Sequence, residues 1–264
     1  MSVIHLPVRS YPCYADFDKP SDERHISFYE TVFPLPAQET AFVLVDCRTT
    51  HHNQGWLERA TTVLRETIVP ALAAAREVPL TIIHAPVGAV AAKYPQCVTY
   101  PEERPVPAEP EWPPRQFRER AGPYAVFAKK EELHRDELLA SYIPDCRIHP
   151  LVEPRDDEFV VTDGPTMRRL LAERGVLHLI YVGFAVNWCV QFKDYGMREQ
   201  ARYGYNCLLL RDCTNAFESA DTLDEELNMR IAVREIELMV GWTATQKDFI
   251  EACRQRTREA GGGK

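Results

Sequence analysis

No run of about 18 apolar residues occurs in this 264-residue chain, so no transmembrane helix is expected. The opening residues, Met1-Ser2-Val3-Ile4-His5-Leu6-Pro7, lack the charged start and long apolar core of a secretory signal peptide. Eight cysteines are present (Cys13, Cys47, Cys97, Cys146, Cys189, Cys207, Cys213 and Cys253), but none forms a C-x-x-C pair or a Cys/His cluster at zinc spacing. G-x-G-x-x-G and Walker patterns are also missing, so no phosphate-cradling loop is expected. Positive charge is not in excess: 31 Lys and Arg stand against 39 Asp and Glu, a net charge of -8. That balance argues against nucleic acid or an anionic membrane as partner. The expectation is a cytoplasmic protein with reduced cysteines, a small-molecule substrate, and no metal or other cofactor.

What is present reads as alternating strands and helices. Apolar residues make up 45% of the chain, enough for a sizeable core. Ala41–Asp46 and Leu80–His84 are apolar runs of the kind that form buried parallel strands. Trp56–Glu77 has helical spacing, with Pro70 expected to kink or divide it. Further strands are expected at Glu158–Val161, Val176–Val182, Tyr205–Arg211 and Ile236–Thr243, and helices at Pro165–Arg174, Val190–Tyr203, Leu223–Glu235 and Gln246–Arg256. Such alternation predicts a three-layer α/β/α domain around a central, mostly parallel sheet. Residues 1–39 lack periodicity and read as an N-terminal arm wrapping a domain over 40–256. Residues 85–155, proline-rich from Pro101 to Pro114, read as an irregular insertion, and 257–264 as a mobile tail. An arm and insertion of this length suggest a homo-oligomer.

Cys189 is the most informative residue. It follows the apolar run Val176–Val182 and the turn Gly183-Phe184-Ala185, and precedes a helical stretch. A parallel sheet presents its ligands at the carboxyl ends of its strands. A cysteine there, at the start of a helix, is placed as a nucleophile. Asp46 closes another strand at the same edge, and a carboxylate beside a thiol can act as its base.

These segments resemble the isochorismatase-like cysteine hydrolases. The resemblance rests on Thr40–Asp46, Leu80–His84, and Gly183-Phe184-Ala185-Val186-Asn187-Trp188-Cys189-Val190 with its continuation through Tyr203–Asn206 and Arg211-Asp212. It implies Cys189 as nucleophile, Asp46 as its base, the amides of Ala185 and Cys189 as oxyanion hole, and a cis Phe184–Ala185 peptide. The implied reaction is metal-independent hydrolysis of a C–N bond, amide or carbamoyl, through a Cys thioester. His52, Phe184, Asn187 and Trp188 are candidates for the substrate pocket, and Trp56, Tyr94 and Trp112 are further aromatic candidates.

Two departures stand out. Val186 occupies the place of a family threonine. Thr162 occupies the place of the family's catalytic lysine, and no Lys occurs between Lys130 and Lys193. A surrogate is expected from the insertion, with Lys130 or Lys129 favoured over Lys93. Arg48, two residues after Asp46, is the other cation in view. Two other readings stay open: an isochorismatase-type vinyl-ether hydrolase, and an impaired family member that binds a small molecule or partner.

Overall fold

The computed structural model describes residues 2–100 and 110–261, with side chains described up to residue 255. One eight-stranded sheet has the order β2-β1-β8-β7-β6-β3-β4-β5. The strands are β1 (Val3–Ser10), β2 (Tyr29–Pro36), β3 (Thr40–Val45), β4 (Thr81–Ala85), β5 (Phe159–Val160), β6 (His178–Gly183), β7 (Asn206–Leu210) and β8 (Trp242–Ala244). β3 to β8 pair in parallel, while β1 is antiparallel to both β2 and β8. The helices are α1 (Gln54–Val63), α2 (Val69–Arg76), α3 (Gly88–Ala91), α4 (Arg115–Arg118), α5 (Lys130–Leu133), α6 (Arg135–Tyr142), α7 (Gly164–Arg174), α8 (Cys189–Phe192), α9 (Met197–Arg202), α10 (Leu227–Met239) and α11 (Gln246–Gly261).

Strand alternation builds two cores. Phe42, Leu44, Ile180 and Val182 face one side with Trp56, Leu72 and Phe249, covered by α1, α2 and α11. Ala41, Val43, Val45, Leu179 and Tyr181 face the other with Met167, Val190, Met197 and Ile236, covered by α7 to α10. This is the α/β/α sandwich expected from the sequence. Asn53 caps α1, its Oδ1 accepting from Trp56 N at 3.0 Å. Pro70 is taken up without a break, because a π turn at Leu64–Ile68 joins α1 to α2 just before it.

Several expectations need correction. The first 39 residues are not an irregular arm. Ile4, Leu6 and Val8 alternate inward, and β1 and β2 form a hairpin that extends the sheet. The last strand lies at Trp242–Ala244, while Ile236–Met239 completes α10. The helix expected over Val190–Tyr203 is two short helices separated by a turn at Lys193–Gly196. At the C-terminus α11 runs on to Gly261, so helix replaces the mobile tail as far as residue 261, and residues 262–264 lie outside the described residues.

The insertion carries α3 to α6, and its proline-rich residues 101–109 lie outside the described residues. Its end returns to the loop after β3. Arg48 bridges Ile148, Thr49 N donates to Arg147 O at 3.0 Å, and His149 N donates to Cys47 O at 2.8 Å.

Candidate active site

The loop after β6 is held by backbone bonds to its neighbours. Phe184 N donates to Val45 O at 2.8 Å, Gly183 N to Cys213 O at 2.9 Å, and Val186 N to Asn215 O at 2.9 Å. Gly183 has φ +104, and a Cβ there would overlap the Val45 carbonyl, so the position needs glycine. The Phe184–Ala185 peptide is cis. The Ala185 carbonyl accepts from Trp188 N and Val190 N at 2.9 and 3.2 Å, which folds the loop into the start of α8. Among the described residues, the amides of Ala185 and Cys189 donate to no backbone carbonyl.

Asp46 adopts a left-handed backbone, φ +46, at the end of β3 and is 1% exposed. Its Oδ1 accepts from Val87 N at 3.0 Å. Its Oδ2 lies 2.7 Å from Arg48 Nη2, yet receives no aligned hydrogen bond, and Arg48 Nε also lacks a partner. The contact is therefore a charge contact more than a fork-on-carboxylate pair. The Cys189 thiol also reaches this carboxylate. Burial pushes the thiol pKa well up, and the charge of Asp46 and a hydrogen bond to it add to the rise. Arg48 and Lys193 pull it down. Cys189 thus rests as a neutral thiol beside a carboxylate, with two cations within electrostatic reach. Helix position alone does not make it a resting thiolate: α8 has only four residues and contributes little dipole.

Arg48, not a lysine of the insertion, is the cation seated against Asp46. Lys93 Nζ is engaged with the carbonyls of Ile143, Pro144 and Cys146 at 2.9–3.0 Å, tying the insertion together. Lys130 lines a separate depression of about 550 Å³ with His52 and His134, while Lys129 begins α5. Thr162 Oγ1 donates to Asp163 Oδ2 at 2.7 Å, and Asp163 caps α7, so the expected lysine position is part of a helix start. The insertion still contributes: Tyr142, the last residue of α6, lies within electrostatic reach of Arg48. Lys193 lines an open depression of about 420 Å³ with Asn187, Trp188, Cys189 and Phe192.

An aromatic wall stands beside these groups. Trp56 stacks on Phe217 at 4.7 Å, Phe217 meets Trp188 at 5.0 Å, and Phe184 sets its edge on Trp56 at 6.0 Å. His51 joins at 4.5 Å from Trp56 and contacts His52 at 4.1 Å. Burial first, then the Arg48 charge and that of His52, lower the His51 pKa to about 3, and burial and Arg48 lower that of His52. Asn187 is clasped to the neighbouring loop: its Oδ1 accepts from Phe217 N and its Nδ2 donates to Phe217 O, both at 3.0 Å. Its amide is therefore engaged with backbone. Trp112 is exposed, and Tyr94 bonds to Ile148, so neither belongs to the wall. The sequence reading missed Phe217, Tyr142 and Tyr195. The Tyr195 hydroxyl is buried without a partner.

His84 does not join this group. Its Nε2 lies 2.8 Å from Glu158 Oε2, and Arg76 holds the same carboxylate at 2.6 and 2.9 Å. Burial alone would raise Glu158, but hydrogen bonds from His84 and Arg76 outweigh it and set its pKa at about 2. Among the described residues, no group of three or more His, Cys, Asp or Glu is placed to hold a metal ion. Among them also, no helix is long and apolar enough to cross a membrane.

A mostly parallel α/β/α sheet is also the fold of a solved cysteine hydrolase from Pseudomonas syringae pv. phaseolicola. The two align with a TM-score of 0.58 and 18% identity, over 85% of this chain and 96% of that one. The isochorismatase domain pattern matches residues 40–248, and the chain belongs to the isochorismatase family. Among curated relatives, the ureidoacrylate amidohydrolase RutB of Agrobacterium fabrum is 25% identical over 54% of this chain and 59% of its own length. The RutB of an Enterobacter species is 29% identical over 44% of this chain and 45% of its own. The chain spans about half the length of these relatives.

Proposed function

We propose that the protein hydrolyses a C–N bond of a small amide or carbamoyl compound through a thioester on Cys189. The observation that carries this reading is the buried cluster in which Asp46 meets both Arg48, at 2.7 Å, and the Cys189 thiol. Asp46 takes the thiol proton as sulfur attacks the carbonyl carbon, so proton and negative charge move together and no free thiolate is needed. The amides of Ala185 and Cys189 receive the oxyanion. The C–N bond then breaks, and the amine leaves with the proton held on Asp46. Water, deprotonated by Asp46, attacks the thioester, releasing the carboxylic or carbamic acid and restoring the thiol. Arg48 is a fixed charge throughout: it stabilises the carboxylate and disperses the negative charge of the thiol step, but does not exchange protons. The amidohydrolase names of two curated relatives support the C–N assignment.

The test is a panel of ureido, carbamoyl and simple amide compounds, with product detection and intact-mass measurement of quenched protein. A transient adduct on Cys189 equal to the acyl part is expected, and Cys189→Ala is expected to lose at least 10³-fold in kcat. Turnover that survives Cys189→Ala would instead favour a vinyl-ether hydrolysis run by the aspartate alone. That second reading draws on one observation, the strongly raised pKa of the resting thiol.

A further inference from the structure

We infer that the substrate carries a carboxylate, and that Lys193 receives it at the mouth of the site. The inference rests on the reaction proposed above and names the class of compound that reaches Cys189: amides or carbamoyl compounds with an apolar body and one acidic group.

The helix that begins at Cys189 makes a single turn. Phe192 N donates to Trp188 O at 2.8 Å, and Lys193 N closes the turn on Cys189 O at 3.3 Å. Residues four apart on a helical turn stand on one face, with Cβ atoms about 5–6 Å apart. Trp188 and Phe192 form one such pair, Cys189 and Lys193 the other. All of them line the same open depression of about 420 Å³, together with Asn187. The thiol and the ammonium therefore share one approach from solvent.

The walls of that approach are apolar and largely uncovered. Trp188 is 56% exposed and Phe192 62%. Trp188 meets Phe217 at 5.0 Å, and the Arg198 guanidinium lies over the Phe192 ring, 5.0 Å from its centroid. Two large exposed aromatic side chains beside a nucleophile mark a ligand surface. Charge recognition in the depression falls to one group. Both ends of the Asn187 amide are taken up by the Phe217 backbone. The backbone amides of Gln191, Phe192 and Lys193 are engaged in the turn itself. No acid lines the depression, and Lys193 is the one charged side chain in its lining. Among the described residues the Lys193 ammonium has no ion pair or hydrogen bond. Arg198 lies in the adjoining depression and is held by Gln191 Oε1 at 2.9 Å and Glu235 Oε2 at 3.3 Å. A cation left open beside a reaction centre draws in substrates of opposite charge and fixes their register.

The kind of anion follows from the surroundings. A phosphate carries a charge of about −1.5 to −2 and is met by several cations or by a nest of backbone amides. Here one ammonium faces aromatic walls, and the amides of the turn are occupied. A single negative charge on an apolar body, a carboxylate, is what such a depression matches.

Iodoacetate and iodoacetamide alkylate a thiol by the same displacement of iodide, but only iodoacetate carries a carboxylate. A change in thiol pKa moves both rates alike, so their ratio at Cys189 reads charge selectivity and needs no substrate. At pH 7.5 and low salt, Lys193→Met is expected to lower the iodoacetate-to-iodoacetamide ratio about three- to tenfold. Lys193→Glu is expected to lower it further, and added KCl to bring the wild-type ratio towards that of Lys193→Met. Lys193 is exposed, so these variants are expected to fold. Lys247→Met, an exposed lysine on α11, is expected to leave the ratio in place. An unchanged ratio in Lys193→Met, or an equal fall in Lys247→Met, overturns the inference. With substrates, the comparison is kcat/KM for a compound bearing the acid against the same compound bearing a methyl ketone there. Lys193→Met is expected to erode the preference for the acid by a similar factor, mainly through KM; a preference that does not move counts against the role. Wild-type protein that forms no Cys189 adduct with any substrate would refute the proposed hydrolysis, while the reagent ratio would still judge Lys193.

Discussion

Replacing Arg48 by Met tests the centre of the site most directly. Asp46 and Arg48 are 1% and 10% exposed at their side chains and 2.7 Å apart, so the variant leaves a carboxylate with its charge partner removed. Two charges about 4 Å apart at an effective dielectric near 20 interact by about 4 kcal/mol. Breaking a buried pair from one side costs about 3–5 kcal/mol, because the remaining charge stays desolvated. Arg48→Met is therefore expected to lose about 3–5 kcal/mol of unfolding free energy in urea at pH 7.5. Adding Asp46→Asn to Arg48→Met is expected to restore most of the loss, since the uncompensated charge is then gone. Arg48 also lowers the Cys189 pKa, so Arg48→Met is expected to slow iodoacetamide labelling of Cys189 at pH 8 by tenfold or more. Arg48→Lys, which keeps the charge, recovers part of that rate. If Arg48→Met unfolds like wild type and labels Cys189 at the same rate, the ion pair has neither the energy nor the role assigned to it.

Three further outcomes are expected. Gly183→Ala combines a strained φ with a collision against the Val45 carbonyl; it is expected to destabilise by at least about 3 kcal/mol, visible as lost soluble protein or a lowered urea midpoint. His51 has a folded pKa of about 3, below its unfolded value of 6.5, so the unfolded chain binds more protons between these values. The stability from this group is complete above pH 6.5 and falls by up to about 1.4 kcal/mol per unit as pH drops towards 3; His51→Phe is expected to flatten that slope in urea titrations from pH 7 to 5. Hydrolysis, measured after EDTA treatment and desalting, is expected to be unchanged, because the proposed steps run through a thiol and a carboxylate; activity lost to EDTA and restored by a divalent metal would contradict it.

The central strands were legible because burial on both faces writes itself as continuous apolar residues, as in Thr40–Val45 and His178–Gly183. The hairpin was missed although Ile4, Leu6 and Val8 alternate, because Pro7, Pro34 and Pro36 read as breaks; as the sheet's outermost pair, β1 and β2 tolerate them. Cys189 and Asp46 were legible from their positions after strands. Arg48 was in view but ranked behind the lysines, since its approach to Asp46 depends on the left-handed backbone at Asp46 and on the pairing of Arg48 with Ile148. Neither has a local sequence signal. Tyr195 was hidden by the assumption of one continuous helix. Asp194 and Gly196 on either side of it are the turn signal that marks the break.

The strip at 146–149 that returns to the β3 loop joins residues nearly a hundred positions apart: Thr49 N reaches Arg147 O, and Arg48 faces Ile148. A closure of that length is formed late and lost early, because its ordering entropy is gained back whenever the strip detaches. Arg48 is held by this closure, whereas Asp46 and the Cys189 loop follow the paired strands β3 and β6. The two halves of the site therefore belong to regions of different local stability. Detachment of the strip frees the cation from its seat while leaving the fold, the thiol and the carboxylate in place. Amide exchange should accordingly be faster at Thr49 and His149 than at Val43 or Tyr181, and that opening sets how often the site stands without the Arg48 charge.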